Sequence, residues 1–441
     1  MSHHLVGLLG LITLLAICYG LSRDRKNIPW RLVCIGIGLQ VLLALVVLKT
    51  SAGRAFFDVT NECFERVMDF SREGSSFLFG ALTSQTVTVE GGNAGGGLVR
   101  IGATFAFTVL PSVVFFSALM AVGYHVGIME RVVYYMAKVM KVTLGTSGAE
   151  SLSAAANIFV GQTEAPLLVR PYLAKMTRSE LLAIMVGGMA NIAGGVMAAY
   201  VSMLSGAFPG IAGHLMAASI MSAPASLVFA KILLPEMEQP ETSGSMDMIA
   251  EKPDANVIDA ATRGASEGLT LALNIAAMLI AGIGLVAMGN ALWGWLCHGV
   301  TAVTSVELSQ VDTLQELLGY CFAPFAWLMG ISSEDCIVAG KLLGEKTILN
   351  EFIAYVHLGD YLNGKPLMDG AAVHELSERS KIILSYALCG FANIGSIGIL
   401  VGGTGALVPS RRGDVAKLGV LALIGGTFST FMTATIAGMI L

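Results

Sequence analysis

The sequence predicts an all-α polytopic membrane protein with about eight transmembrane helices, two re-entrant helical hairpins, interfacial amphipathic helices and inverted repeats. Three observations predict it. The 441 residues are 55% hydrophobic and 13% charged, whereas a soluble domain carries about 25% charged residues. Apolar runs near the length needed to cross about 30 Å of hydrocarbon recur from end to end. Two polar, helix-breaking stretches interrupt them: Asn157-Ile158-Phe159-Val160-Gly161-Gln162-Thr163-Glu164 and Ile348-Leu349-Asn350-Glu351-Phe352. A lone carboxylate in hydrocarbon is costly unless paired or wetted. A break that exposes polar backbone beside one therefore reads as a binding site near the bilayer midplane.

Residues 5–21 and 32–49 read as the first two spans. Arg23, Arg25, Lys26 and Arg31 lie between them and place that loop in the cytoplasm, with the N-terminus outside. No Lys or Arg precedes the first run, the reverse of a secretory signal. Residues 54–80 alternate aromatic and charged side chains as an interfacial helix does. An external loop is expected at 82–98, a returning span at 100–124 and a basic interfacial helix at 128–143. The first hairpin covers 149–175, with its tip at 161–164.

A span at 181–204, broken near 191–195, leads to another at 213–234. Residues 236–265 are acidic and contain Pro240 and Pro253, the signature of a polar cytoplasmic linker whose acids are solvated. The second half repeats the plan: a long apolar helix over 266–296, an amphipathic stretch over 299–320, a hairpin over 322–352 and a polar loop over 358–378. A span at 381–408, broken near 393–396, and a last one at 418–441 follow, ending outside. Lys341, Lys346, Arg379 and Lys381 count as external charges, against that orientation. The division is 1–127 for scaffold helices and the first interfacial helix, 128–235 for the first repeat, 236–265 for the linker, 266–298 for the long scaffold helix and 299–441 for the second repeat.

Other classes fare worse. A net charge of −5 gives no footprint for nucleic acid. The seven cysteines show no metal-type spacing and the seven histidines no HExxH. No nucleophile–base constellation marks an enzyme. Glu164 paired with Arg170 or Lys175, and Glu351 paired with Lys346, remain structural alternatives to a binding role.

Four ordered motifs carry a resemblance. Gly161-Gln162-Thr163-Glu164-Ala165-Pro166, Met189-Ala190-Asn191-Ile192-Ala193-Gly194-Gly195-Val196, Asn350-Glu351-Phe352-Ile353-Ala354-Tyr355 and Cys389 to Ile399 resemble the concentrative nucleoside transporters. The resemblance runs from the first span to the end. It implies a homotrimer in the bacterial inner membrane that imports nucleosides with a sodium gradient, its transport domain moving like an elevator against a scaffold. It implies nucleobase contacts from Gln162, Thr163, Glu164 and Val196. Ribose contacts fall to Glu351, Asn393 and Ser396, with Phe391 nearby. It puts Na+, the coupling ion, at Asn157, Val160, Asn191 and Ile192. Similar members often have Ser where Asn191 stands. The Gly-Gln-Thr-Glu form looks more like sodium-coupled than proton-coupled members. A proton-coupled symporter and a facilitative pore for small polar solutes are the alternatives.

Overall fold

Helix follows helix through the residues that the computed structural model describes, 3–83, 86–89, 97–100, 105–243, 254–304, 313–367 and 374–441. α1 (His3–Leu21) and α2 (Trp30–Lys49) are both apolar, α1 packing on α17 (Arg412–Ile440) and α2 on α10 (Ile211–Leu233). α3 (Ser51–Phe79) starts where Thr50 Oγ1 accepts from the Gly53 N–H at 3.1 Å, a side-chain N-cap. Strands β1 (Thr86–Val89) and β2 (Gly97–Arg100) then pair antiparallel, Thr86 opposite Arg100. This hairpin lies where a plain loop was expected. α4 (Phe105–His125) leads into α5 (Ile128–Leu144), an amphipathic helix bracketed by Gly127 and Gly145 at φ 82° and 70°, a left-handed conformation that glycine adopts without penalty.

The stretch expected to form the first repeat contains α6 (Gly148–Ala156), a non-helical tip, a 3₁₀ turn at Ala165–Val169 and α7 (Arg170–Leu173). α8 (Arg178–Ala190) and α9 (Gly194–Leu204) are one span interrupted at 191–193, and α10 (Ile211–Leu233) closes the repeat. α11 (Val257–Thr304) follows, then α12 (Leu314–Leu328). The second repeat contains α13 (Cys336–Ile348), α14 (Glu351–Leu362), α15 (Glu378–Leu388), α16 (Ile394–Leu407) and α17 (Arg412–Ile440). Among the described residues, seven helical stretches are long and apolar enough to cross a membrane, and α16 is a shorter apolar one.

Two boundaries differ from expectation. The second hairpin is α13 with α14, over 336–362, because α12 ends at Leu328 and is a separate helix packed on α13. α11 begins at Val257, so 257–265 is helix and the linker is shorter. Residues 244–253, the middle of that linker, lie outside the described residues, as do 305–312 and 368–373. The linker acids are not all solvated: Asp254 is buried and receives both Arg263 Nε and Nη2, at 2.7 and 3.0 Å.

Two layers of burial result. The span α8–α9 is wholly buried, with α10 and α17 packed against α8, whereas 28% of α2 and 11% of α11 is buried. At about 1.5 Å per residue, α11 is roughly 72 Å long, far more than one bilayer crossing. The bases of both hairpins are tied by charge. Lys231 bonds Glu150 at 2.7 Å and Glu236 at 3.2 Å, while Ser147 donates to Glu180 at 2.7 Å. At the other hairpin, Asp335 accepts from Ser332 at 2.6 Å and Ser377 at 3.0 Å and meets His374 at 2.7 Å.

The two interrupted spans cross at their breaks. The Phe391 N–H donates to the Asn191 carbonyl at 3.2 Å. A Cβ on Gly390 would stand 2.7 Å from Thr430 Cγ2 and 3.0 Å from the carbonyls of Met189 and Ala190. Gly390→Ala is therefore expected to destabilise the protein by about 1–3 kcal/mol through overpacking against backbone. A thermal-shift midpoint in detergent equal to that of the wild type would refute the tight crossing.

Candidate functional site

Four elements meet where these breaks lie. The helical ladder stops at Ala156 and at Ala190, and the Gly194 N–H donates to the Phe159 carbonyl at 2.9 Å. That bond lays the first tip alongside the first break, so Asn157, Val160, Asn191 and Ile192 are brought together. Asn157, Asn191 and Ile192 are buried and Val160 half-buried. Asn157 Nδ2 donates to Ser153 O at 3.0 Å, and its buried Oδ1 has no hydrogen-bond partner among the described residues. Asn191 Nδ2 donates to Gly187 O at 3.2 Å, and its Oδ1 accepts from the Ser222 hydroxyl. A hard monovalent cation needs oxygen ligands, and breaks expose backbone carbonyls that supply them. Neutral amide oxygens beside freed carbonyls, one of them left unpaired, are a donor set that fits sodium.

The second break builds a hydrogen-bond chain. Asn393 caps α16, its Oδ1 accepting from the Ser396 N–H at 2.8 Å. The same side chain donates through Nδ2 to Glu351 Oε2 at 3.2 Å. Tyr200 OH donates to Glu351 Oε1 at 2.9 Å. Gln162 Nε2 donates to Ser396 Oγ at 3.3 Å, and Gln162 Oε1, buried, has no hydrogen-bond partner among the described residues. Gln162, Ser396, Asn393, Glu351 and Tyr200 thus form one polar run. It links the tip of the first hairpin, the start of α16, the start of α14 and the middle of α9. All five are buried, and the Glu351 carboxylate keeps two donors without any cationic partner.

Of the other residues singled out from sequence, Val196 is buried on α9, four residues before Tyr200 and so on the same helix face. Phe391 is half-buried and stitches the breaks through its backbone. Thr163 and Glu164 are exposed. Thr163 packs on α16, where a Cβ at Gly403 would stand 2.9 Å from its Cγ2. Glu164 stands outside the polar run, accepting from the Gly161 N–H at 3.1 Å. The proposed ion pairs do not form: Lys175 bonds Glu241 at 2.8 Å, and Lys346 donates to Ala387 O and Thr430 Oγ1. Lys346 is wholly buried, not an external charge.

Sequence reasoning missed Tyr200 and Ser222, and read Lys346 as an external charge or a partner of Glu351. Tyr200 had a signal: an aromatic with a polar handle one turn after Val196, in a helix otherwise built of small and aliphatic residues. Ser222 had none, since a serine in an apolar helix bonds its own backbone as readily.

Comparisons with known proteins agree in placing the whole chain. The profile described as "Na+ dependent nucleoside transporter C-terminus" matches residues 214–438, its N-terminal counterpart residues 9–82, and a "Nucleoside recognition" gate profile residues 106–207. An uncharacterized transporter of Haemophilus influenzae is 43% identical over 99% of this chain and 97% of its own length. Human solute carrier family 28 member 3 is 40% identical over 100% of this chain, which spans 60% of that longer protein. The structure of CNTnw in an inward-facing substrate-bound state superposes with a TM-score of 0.86 at 42% identity, covering 100% of this chain and 98% of that one. A variant of CNTnw in an outward-facing state gives 0.85 at 41% identity, with 100% and 98% covered.

The polar run makes a direct prediction. A hydrogen bond to a charged group contributes about 1.5–3 kcal/mol, so Tyr200→Phe is expected to lower the thermal midpoint in the wild type but hardly at all once Glu351 is Gln. Additive effects of the two substitutions would break the assigned contact.

Proposed function

This chain belongs to the Na+ dependent nucleoside transporter family, and from that premise we propose the following assignment of its parts. It is a secondary active symporter that carries nucleosides across a membrane on a sodium gradient; it is not an enzyme. The observation that carries the assignment is the buried run from Gln162 through Ser396 and Asn393 to Glu351. It joins both hairpins at the crossing of both breaks, and it mixes donors with acceptors along one line.

A nucleoside offers an amide-like base edge and a pair of ribose hydroxyls. Gln162 donates and accepts, as a base edge requires. Its unpaired Oε1 supports the reading that Gln162, with Thr163, Glu164 and Val196, meets the nucleobase. A carboxylate accepts strongly from vicinal hydroxyls, so Glu351, held by Tyr200 and Asn393, takes the ribose together with Asn393 and Ser396. Phe391 flanks them. Tyr200 acts through Glu351 and is a positioning residue. Sodium is held by Asn157, Val160, Asn191 and Ile192. Asn191 offers an amide whose Oδ1 the Ser222 hydroxyl already steadies.

The buried inner helices move as the transport domain, against a scaffold of α1 to α4 with α11, in an elevator-type exchange between inward- and outward-facing states. The protein is a homotrimer in the bacterial inner membrane with both termini outside. Ile280, Leu285, Leu292 and Trp295, exposed by half or more along α11, supply an apolar surface for lipid and neighbouring protomers.

One charge moving through 100 mV supplies about 2.3 kcal/mol, a concentration ratio of roughly 50. Proteoliposomes loaded by an inward sodium gradient are therefore expected to accumulate radiolabelled uridine above equilibrium, and uptake indifferent to sodium would refute the coupling. Glu351→Gln is expected to weaken nucleoside binding about tenfold or more, since charged hydrogen bonds to the ribose are lost. Calorimetry on the purified variant reads this, with unchanged affinity the refuting result. Asn157→Ala is expected to raise the sodium concentration for half-maximal binding at least about fivefold, in the range of coupled-site effects. An unchanged sodium requirement would remove Asn157 from the ion site.

A further inference from the structure

Helix α5 carries two apolar stripes, and the fold covers only one of them. Val133, Ala137, Met140 and Leu144 are buried, with α6 packed against the helix. Ile128, Val132, Tyr135, Val139 and Val142 recur at helical spacing and form a second stripe along another face. That stripe is open: Tyr135 is 64% exposed, Val139 54% and Val142 76%. Cations border it along one flank. At about 3.6 residues per turn, Arg131 and Lys138 fall beside the stripe and Lys141 just beyond them. Arg131 and Lys138 are exposed and Lys141 is half-buried. Glu130 is the one acid of the helix.

The neighbours of α5 fix its level in the membrane. A cavity of about 420 Å³ is lined by Val142 to Ser147 on one side and by Pro29, Arg31 and Leu32, at the start of the span α2, on the other. Glu150 and Glu236, which also line it, are already engaged by Lys231. Trp30, half exposed at the same end of α2, has its ring 6.2 Å from that of Tyr19, and the Arg25 guanidinium lies 5.7 Å from the Tyr19 ring centroid. Tryptophan and tyrosine among basic residues at the end of a span mark the headgroup layer. Residues 22–31 and 128–144 together carry seven cations and two acids. An apolar stripe flanked by cations at headgroup depth is complementary to acyl chains beneath acidic headgroups. A second copy of the chain fits worse, because a symmetric contact would set the same cations against each other.

The helix is joined closely to the first hairpin. It ends at Gly145, two residues before Ser147, which caps α6 and donates to Glu180 at 2.7 Å. Whatever holds α5 therefore holds the base of that hairpin. We propose that α5 binds anionic phospholipid of the cytoplasmic leaflet, and that this attachment positions the hairpin base and sets the transport rate. The effect on rate rests on the transport assignment made above; the lipid preference does not.

The preference is read by mass spectrometry of the phospholipid that the purified protein retains from micelles holding equal phosphatidylglycerol and phosphatidylcholine. One cation near an acidic surface favours binding about fivefold. The wild type is therefore expected to retain phosphatidylglycerol in at least about fivefold excess. Lys138→Gln with Lys141→Gln is expected to lose most of that excess, and Lys138→Arg with Lys141→Arg to keep it, both with unchanged nucleoside affinity. Equal retention of the two lipids by the wild type, or an undiminished excess in the Gln pair, overturns the proposal. Should the Gln pair fail to assemble, a wild-type excess that survives about 1 M salt overturns it instead, because such a contact is screened. A Val139→Asp variant with an altered oligomeric state and an intact lipid excess gives the stripe to a second copy, and also overturns it. For the rate, adding about 30% phosphatidylglycerol to phosphatidylcholine vesicles is expected to speed sodium-driven uridine uptake about fivefold in the wild type but not in the Gln pair. Equal uptake by the wild type in both vesicles overturns the link to the hairpin. No uptake in either vesicle, with the lipid excess intact, refutes the transport assignment alone.

Discussion

Backbone that leaves a helix inside an apolar body must find partners, and this chain solves the problem by crossing two breaks. Four freed carbonyls at a helix end, unpaired in hydrocarbon, would cost several kcal/mol each. Here the Phe391 N–H satisfies the Asn191 carbonyl, Gly390 lets the two segments touch, and Lys346 takes the carbonyl of Ala387. The hairpin tips complete the arrangement, since the Phe159 carbonyl receives the Gly194 N–H. Every residue assigned to substrate or ion lies within a few positions of one of these interruptions. The polar groups a ligand needs are the groups that the breaks had to expose.

The same economy governs the side chains. Asn393 both caps α16 and donates to Glu351. A cap alone contributes about 1 kcal/mol, but this one also fixes the direction of the amide, because its oxygen is committed to the helix and its nitrogen must turn to the carboxylate. Tyr200 supplies the second donor from α9, stacked against Tyr355 with ring centroids 4.2 Å apart. Glu351 is thus aimed before any ligand arrives, which limits what binding must spend on ordering.

Much of this was legible in the residues. The breaks at Asn191 and near Asn393, the first hairpin and its tip, and the long helix all followed from polar residues interrupting apolar runs. The second hairpin was placed too early because α12 and α13 are both apolar, and the only polar mark between them, Ser332 to Asp335, is a hairpin base rather than a tip. Hydropathy sees polarity, not direction. Lys346 was misread for a related reason: a lysine near an expected helix end looks like a surface charge until α15 supplies Ala387 and α17 supplies Thr430. Glu236 and Asp254 looked solvated because their partners, Lys231 and Arg263, stand on helices whose packing no local pattern reveals.

Burial sets the inner helices apart from α11. α8, α10 and α17 bury most of their surface against one another and against the hairpins, whereas α11 spends its length on α4 and on its surroundings. A body that slides through a membrane must keep its charged groups satisfied internally at every position. The inner helices do so: Lys231 with Glu150 and Glu236, Asp335 with Ser332 and His374, Lys346 with Ala387 and Thr430. No described ion pair ties α11 to those helices, its Arg263 bonding Asp254 and Glu267 instead. Buried ion pairs and charged hydrogen bonds concentrate among the inner helices, whereas α11 packs chiefly on α4.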